Sequence, residues 1–141
     1  VIGIDKQPLY PIENATLLGG MDFTAAESQN ELLKILNGKR ADVILSDMAP
    51  NATGVRDLDH ENIIQLAYSA LKFALQITKG NGVFVCKLWD GGKSQQFEKD
   101  LARFYKYVKC IRPEATRDES TEKFLVARGF KGIKSTSSST T

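Results

Sequence analysis

The chain has 141 residues, 42% of them hydrophobic and 26% charged, with a formal net charge of +2. That length holds one hydrophobic core and is too short for two ordinary domains, and the composition excludes a disordered polyelectrolyte. No apolar run approaches membrane-spanning length, and nothing at the start reads as a secretory signal.

The charge is unevenly spread: residues 1–70 carry five Lys/Arg against ten Asp/Glu, and residues 71–141 carry fourteen against seven. In the basic half, Lys93, Lys99, Arg103, Lys106, Lys109, Arg112 and Arg117 either line a surface attractive to phosphates or are solvated helix faces; both readings stand at this point. Cys86 and Cys110 sit alone in apolar runs without metal-ligand spacing, which suits buried free thiols in a reducing compartment. His60, the only histidine, lies between Asp59 and Glu61 and is expected to serve a surface or capping role.

Taken in order, Val1-Ile2-Gly3-Ile4-Asp5 is an apolar run closed by an acid and reads as a strand. Lys6 to Asn14 is a loop, and Ala15 to Leu18 a second short strand leading to Gly19-Gly20-Met21-Asp22-Phe23. Thr24 and Glu27 have capping-box spacing ahead of Leu32, Leu33 and Leu36, and Asn37-Gly38 stops the helix. Val43 to Leu45 reads as a buried strand that ends in the polar turn Ser46-Asp47-Met48-Ala49-Pro50-Asn51. Asp59 can cap a helix running to about Thr78, in which Ile63, Ala67, Ala70, Ala74 and Ile77 form an apolar stripe.

Gly82 to Trp89 is a near-continuous apolar run, as expected of a strand covered on both faces, but it contains Lys87. A lysine there is costly unless paired. Phe97, Leu101 and Phe104 mark a further helix from Ser94 to Tyr105. Strands follow at Tyr107 to Ile111 and Lys123 to Ala127, and the ten or so residues between them leave no room for a helix. The expected fold is therefore α/β, a mainly parallel sheet with helices on both faces and an antiparallel closing pair. Residues 131–141 form a polar tail that ends in a Ser/Thr-rich run, expected to be flexible.

Asp47, Lys87 and Glu122 each fall where a strand meets a loop, so the fold can gather them although they are 40 and 35 residues apart. Carboxyl ends of strands are where ligands sit in open α/β sheets. An acid on either side of a lysine holds the amine and sets its proton affinity, and desolvation would make that amine less basic and able to take a proton from a hydroxyl. Read alone, however, Asp47 could equally shape a turn, Lys87 could snorkel past the sheet's end, and Glu122 could be a solvated loop acid.

Three motifs in order, Ser46-Asp47-Met48-Ala49-Pro50-Asn51, Val85-Cys86-Lys87 and Ser120-Thr121-Glu122-Lys123-Phe124, resemble the FtsJ/RrmJ family of RNA ribose 2′-O-methyltransferases. The run from Arg40 through His60 is most similar to the animal mitochondrial branch, and the resemblance covers roughly residues 1–130. It implies a Rossmann-like fold that uses S-adenosylmethionine, and a Lys-Asp-Lys-Glu tetrad whose second, third and fourth members match Asp47, Lys87 and Glu122. Lys87 would then prepare the ribose 2′-hydroxyl as base, tuned by Asp47 and Glu122, without a metal because the sulfonium already makes the methyl electrophilic. By the same resemblance Asp5 would accept hydrogen bonds from the cofactor ribose, Asp22 would lie beside the adenine amine, and Asp47 would also face the methionine end.

The implied substrate is large-subunit ribosomal RNA or a pre-ribosomal particle, with a uridine of the peptidyl-transferase region as target, and the implied location is mitochondrial. The family's first strand, glycine-rich cofactor loop and first tetrad lysine would precede Val1. In the family order 3-2-1-4-5-7-6 the sheet would lack its central strand, and these 141 residues alone are expected neither to bind the cofactor tightly nor to methylate RNA. Two other readings remain. A nucleotide-cofactor dehydrogenase would explain Asp5 but not Asp47, Lys87 and Glu122 together; a non-catalytic RNA-binding or ribosome-assembly module could keep the same scaffold. Trp89 is expected to pack in the core or rim, although it follows Lys87 closely enough to line an RNA entrance.

Overall fold

A computed structural model describes residues 1–48, 53–89, 91, 93–112 and 122–132. These belong to two compact units that divide between Lys39 and Arg40. Pro50, Asn51, Arg117, Ser120, Thr121 and the Ser/Thr-rich run from 133 onward lie outside the described residues.

In the first unit, strand β1 (Ile2–Asp5) pairs in parallel with β2 (Thr16–Gly19), Ile2 opposite Thr16 and Asp5 opposite Gly19. Gly19 is required by a close approach, since a β-carbon there would meet the backbone nitrogen of Leu9 at 2.5 Å. Helix α1 (Ala26–Leu36) turns Leu32 inward and ends at Asn37, whose left-handed φ of 50° closes the last turn. The expected capping box does not form. Ala25 is the N-cap and has no side-chain bond, because the Thr24 hydroxyl donates to Asp22 Oδ1 at 2.7 Å instead. The local aspartate competes successfully for the hydroxyl that would have capped the helix.

The second unit holds β3 (Ala41–Ser46), helix α2 (Arg56–Ile77), β4 (Thr78–Trp89), helix α3 (Ser94–Phe104), β5 (Tyr105–Ile111) and β6 (Glu122–Phe130). Its sheet runs β3-β4-β6-β5, with β4 parallel to β3 and β6 antiparallel to both β4 and β5. The antiparallel closing pair is thus present, and β6 is inserted between β4 and β5 in the order implied for the last four strands. Among the described residues β1 and β3 each pair on one side only. Helices α2 and α3 meet through Tyr68 and Phe97, whose rings cross edge to face at 4.8 Å. Phe84, Cys86, Leu88, Phe97, Leu101, Leu125 and Ala127 are at most 1% exposed and form the core. Replacing Phe97 by Ala should lower the unfolding free energy of the complete protein by about 3–5 kcal/mol in urea titrations, through lost burial plus the cavity left behind.

Three details depart from the sequence reading. Helix α2 starts at Arg56, so Asp59 lies inside its first turn and does not cap it; its Oδ1 accepts from the Thr53 backbone N–H at 2.9 Å and the Thr53 hydroxyl at 2.7 Å. These two bonds hold the Asp59 carboxyl below the usual carboxylate range. Neither α2 nor α3 is followed by a loop: each passes straight into a strand, β4 at Thr78 and β5 at Tyr105. Residues 79–82 bulge where one residue of β3, Asp42, faces four of β4, with Asn81 at φ 64°. Finally, Val43 and Leu45, expected to be buried, are 53% and 75% exposed among the described residues, where β3 has a strand neighbour on one side only. Ser46, at the end of β3, is buried.

Candidate active site

The site follows from strand register. Ser46 stands opposite Cys86, so Asp47, one residue past the end of β3, arrives beside Lys87 on β4. Across the other edge of β4, Lys87 pairs with Phe124 and Trp89 with Glu122, which sets the Glu122 side chain one step along the strand from the amine. Lys87 Nζ lies 2.7 Å from Asp47 Oδ1 and 3.8 Å from Glu122 Oε1. Three residues far apart in the chain are therefore one cluster at the carboxyl ends of the parallel strands β3 and β4.

Alternation along β4 explains how a lysine is tolerated in an apolar strand. Phe84, Cys86 and Leu88 point to the fully covered face, whereas Val83, Val85, Lys87 and Trp89 point to a partly exposed one. The Lys87 side chain is 22% exposed, and those of Asp47 and Glu122 are 68% and 47% exposed. Both solvent access and two carboxylates offset the desolvation of the amine.

The electrostatics reverse one expectation. The hydrogen bond to Asp47 raises the proton affinity of Lys87 above that of an ordinary lysine; burial opposes it, and the Asp47 and Glu122 charges add to the rise. Desolvation pulls the amine toward lower basicity but is outweighed by the two carboxylates. In this arrangement Lys87 is an ammonium held between two anions.

Behind it, burial pushes the Cys86 thiol up to about 12, a hydrogen bond from Ser46 acts the other way, and the Asp47 charge adds to the rise. Cys86 is an inert buried thiol, in line with its reading from sequence, and Cys110 is partly exposed. Iodoacetamide at neutral pH should leave Cys86 unmodified in the folded protein and alkylate it in urea, as mass spectrometry of the peptides would show.

The other two acids singled out belong to the first unit. Asp5 ends β1, and its Oδ1 accepts from the Gln7 N–H at 2.9 Å; Asp22 Oδ1 accepts from the Thr24 N–H at 2.9 Å and the Thr24 hydroxyl. The Thr24 bonds hold the Asp22 carboxyl below the usual range, so it is ionised at neutral pH. Both are exposed acceptors, Asp5 at the end of β1 and Asp22 in the turn between β2 and α1, able to accept from hydroxyl or amine donors.

Of the basic residues, Lys93 pairs with Glu61 at 2.8 Å, whereas Lys99 and Arg103 lie on α3 and Lys106 and Lys109 on β5. His60 does more than sit at a helix start. Its ring packs against that of Trp89 with centroids 5.3 Å apart and planes inclined by 64°, joining the first turns of α2 to the end of β4 beside the cluster. Nothing in local spacing announces that contact, since the two rings are 29 residues apart.

A parallel β3–β4 pair, an antiparallel β6 inserted between β4 and β5, and a polar cluster at the strand ends define a Rossmann-like fold of the S-adenosylmethionine-dependent methyltransferase class. The chain belongs to the FtsJ-like methyltransferase family, whose sequence profile matches residues 1–130. It is 46% identical over 132 residues to the mitochondrial rRNA methyltransferase 2 of Drosophila melanogaster, covering 94% of this chain and 53% of that protein. With the ribosomal RNA large subunit methyltransferase E of Caulobacter vibrioides it shares 43% identity over 130 residues, covering 92% of this chain and 57% of that one. The chain thus spans little more than half the length of these relatives. Among solved structures, one described as a ribosomal RNA methyltransferase from Plasmodium falciparum superposes with a TM-score of 0.82 at 28% identity, over 94% of this chain and 72% of that one. A methyltransferase fold from Streptococcus mutans matches with a TM-score of 0.55 at 11% identity, over 92% of this chain and 70% of that one, a likeness of fold alone.

Proposed function

We propose that the complete protein transfers a methyl group from S-adenosylmethionine to a ribose 2′-hydroxyl of large-subunit ribosomal RNA, with Asp47, Lys87 and Glu122 as its catalytic residues. The observation that supports this reading is the placement of Lys87 Nζ at 2.7 Å from Asp47 and 3.8 Å from Glu122, at the strand ends of a methyltransferase-class fold. When bound, S-adenosylmethionine supplies a methyl already activated by its sulfonium, so the protein's share of the work is orientation and the handling of one proton. Asp47 and Glu122 fix Nζ where a 2′-hydroxyl can approach it. Lys87, once neutral, would accept the hydroxyl proton as the oxygen–methyl bond forms and the methyl–sulfur bond breaks, the bonding pair staying on sulfur as a neutral thioether. Asp5 and Asp22 are the acceptors for the cofactor's ribose and adenine. The target nucleoside is a uridine, as the family resemblance implies, and the location is mitochondrial, the location in the name of the Drosophila relative.

The test is transfer of labelled methyl from S-adenosylmethionine to purified large-subunit rRNA, with small-subunit rRNA as the comparison. Label in the large-subunit RNA alone is the expected result. Tight binding of that RNA without any label would instead make the protein a non-catalytic assembly module.

A further inference from the structure

Trp89 lies on the same face of β4 as Lys87, two residues further along, and directly opposite Glu122. Alternate residues of a strand are about 7 Å apart, a span that a single nucleoside bridges between its 2′-oxygen and its base. The indole is partly exposed, and the His60 ring packs against it edge to face with centroids 5.3 Å apart. Lys93 Nζ bonds both carboxylate oxygens of Glu61, the residue after His60, at 3.0 and 2.8 Å. An aromatic ring braced by a second ring beside the Lys87 amine differs from a rim residue that merely fills space.

We propose that Trp89 is the platform on which the base of the target nucleotide stacks while its ribose lies at Lys87, with His60 holding the indole in place. The inference rests on the methyl-transfer reading above. Single-stranded or flipped-out bases are commonly held in this way, and because every base has a π-face, such stacking holds a nucleotide without dictating which base it is. Trp89 is accordingly a substrate-positioning residue that fixes how deeply the nucleoside enters, and base identity is read elsewhere.

The test couples the side chain to the base. The methylated position is first mapped with the wild-type complete protein, and a second RNA is made with an abasic ribose at that position. Trp89→Leu should lower kcat/KM on the intact RNA roughly 10- to 100-fold, the range expected for one lost stack. On the abasic RNA, wild type and Trp89→Leu should agree within about threefold, because the stack is already gone. Trp89→Phe, which keeps a π-face, should recover most of the activity on intact RNA, and S-adenosylmethionine affinity should stay unchanged in both variants. Equal losses on the two RNAs would show a merely structural role and overturn the inference, as would full activity of Trp89→Leu on intact RNA. Absence of methyl transfer by the wild type is a separate outcome: it would remove the catalytic reading itself, and the inference with it.

Discussion

Lys87→Met in the complete protein should lower kcat for methyl transfer by about 10²- to 10⁴-fold, the usual contribution of a positioned proton acceptor, while calorimetry shows S-adenosylmethionine binding unchanged. Met keeps an unbranched stem but removes the amine that lies at 2.7 Å from Asp47 and 3.8 Å from Glu122. Glu122→Gln should have a smaller effect than changes at Asp47. Its oxygen is 3.8 Å from Nζ, against 2.7 Å for Asp47, and the Asp47 hydrogen bond is the largest cause of the amine's raised proton affinity. A Lys87→Met enzyme with kcat within threefold of wild type would remove Lys87 from the chemistry.

The second large effect is on pH dependence. Only the neutral amine accepts a proton, and Asp47 and Glu122 raise Lys87 above the ordinary lysine value. In the wild type, kcat/KM should therefore climb about tenfold per pH unit through the neutral range, without a plateau below the lysine range. Asp47→Asn removes the first cause of that rise, so the plateau should appear at lower pH. Rates at neutral pH should nevertheless fall about 10²-fold, because the amine loses its closest anchor and a small misplacement is costly. The same shift has a sign in stability. The folded state binds the Lys87 proton more tightly than the unfolded chain does, so this stabilisation is fully present below the ordinary lysine value and is lost as pH rises through the raised one. A plateau unmoved by Asp47→Asn would mean that the titrating group is not Lys87.

What could be read from the residues was what local chemistry fixes. The apolar runs ending at Asp5, Ser46 and Trp89 are strands, Asn37 stops α1, and the short connection after Ile111 forces the antiparallel β5–β6 pair. The gathering of Asp47, Lys87 and Glu122 was open to the fold because each falls where a strand meets a loop, and three motifs matching a known pattern in order singled it out; no periodicity links residues 40 and 35 positions apart. Competition misled the reading elsewhere. Thr24 is drawn to Asp22 rather than to a helix end, and Asp59 serves Thr53 instead of capping α2. Tertiary context did the rest: the contact of His60 with Trp89 depends on where α2 begins. The sign of the Lys87 shift also needed distances, because desolvation and two carboxylates act in opposite directions and only geometry decides between them.

Alkaline hydrolysis of the labelled RNA distinguishes methylation of a ribose oxygen, expected of the Asp47–Lys87–Glu122 cluster, from methylation of a base. A 2′-O-methyl removes the hydroxyl that attacks the adjacent phosphate, so all label should emerge in alkali-resistant dinucleotides, which Lys87→Met should form at least about 10²-fold more slowly. Label released in mononucleotides would place the methyl on a base and contradict the account.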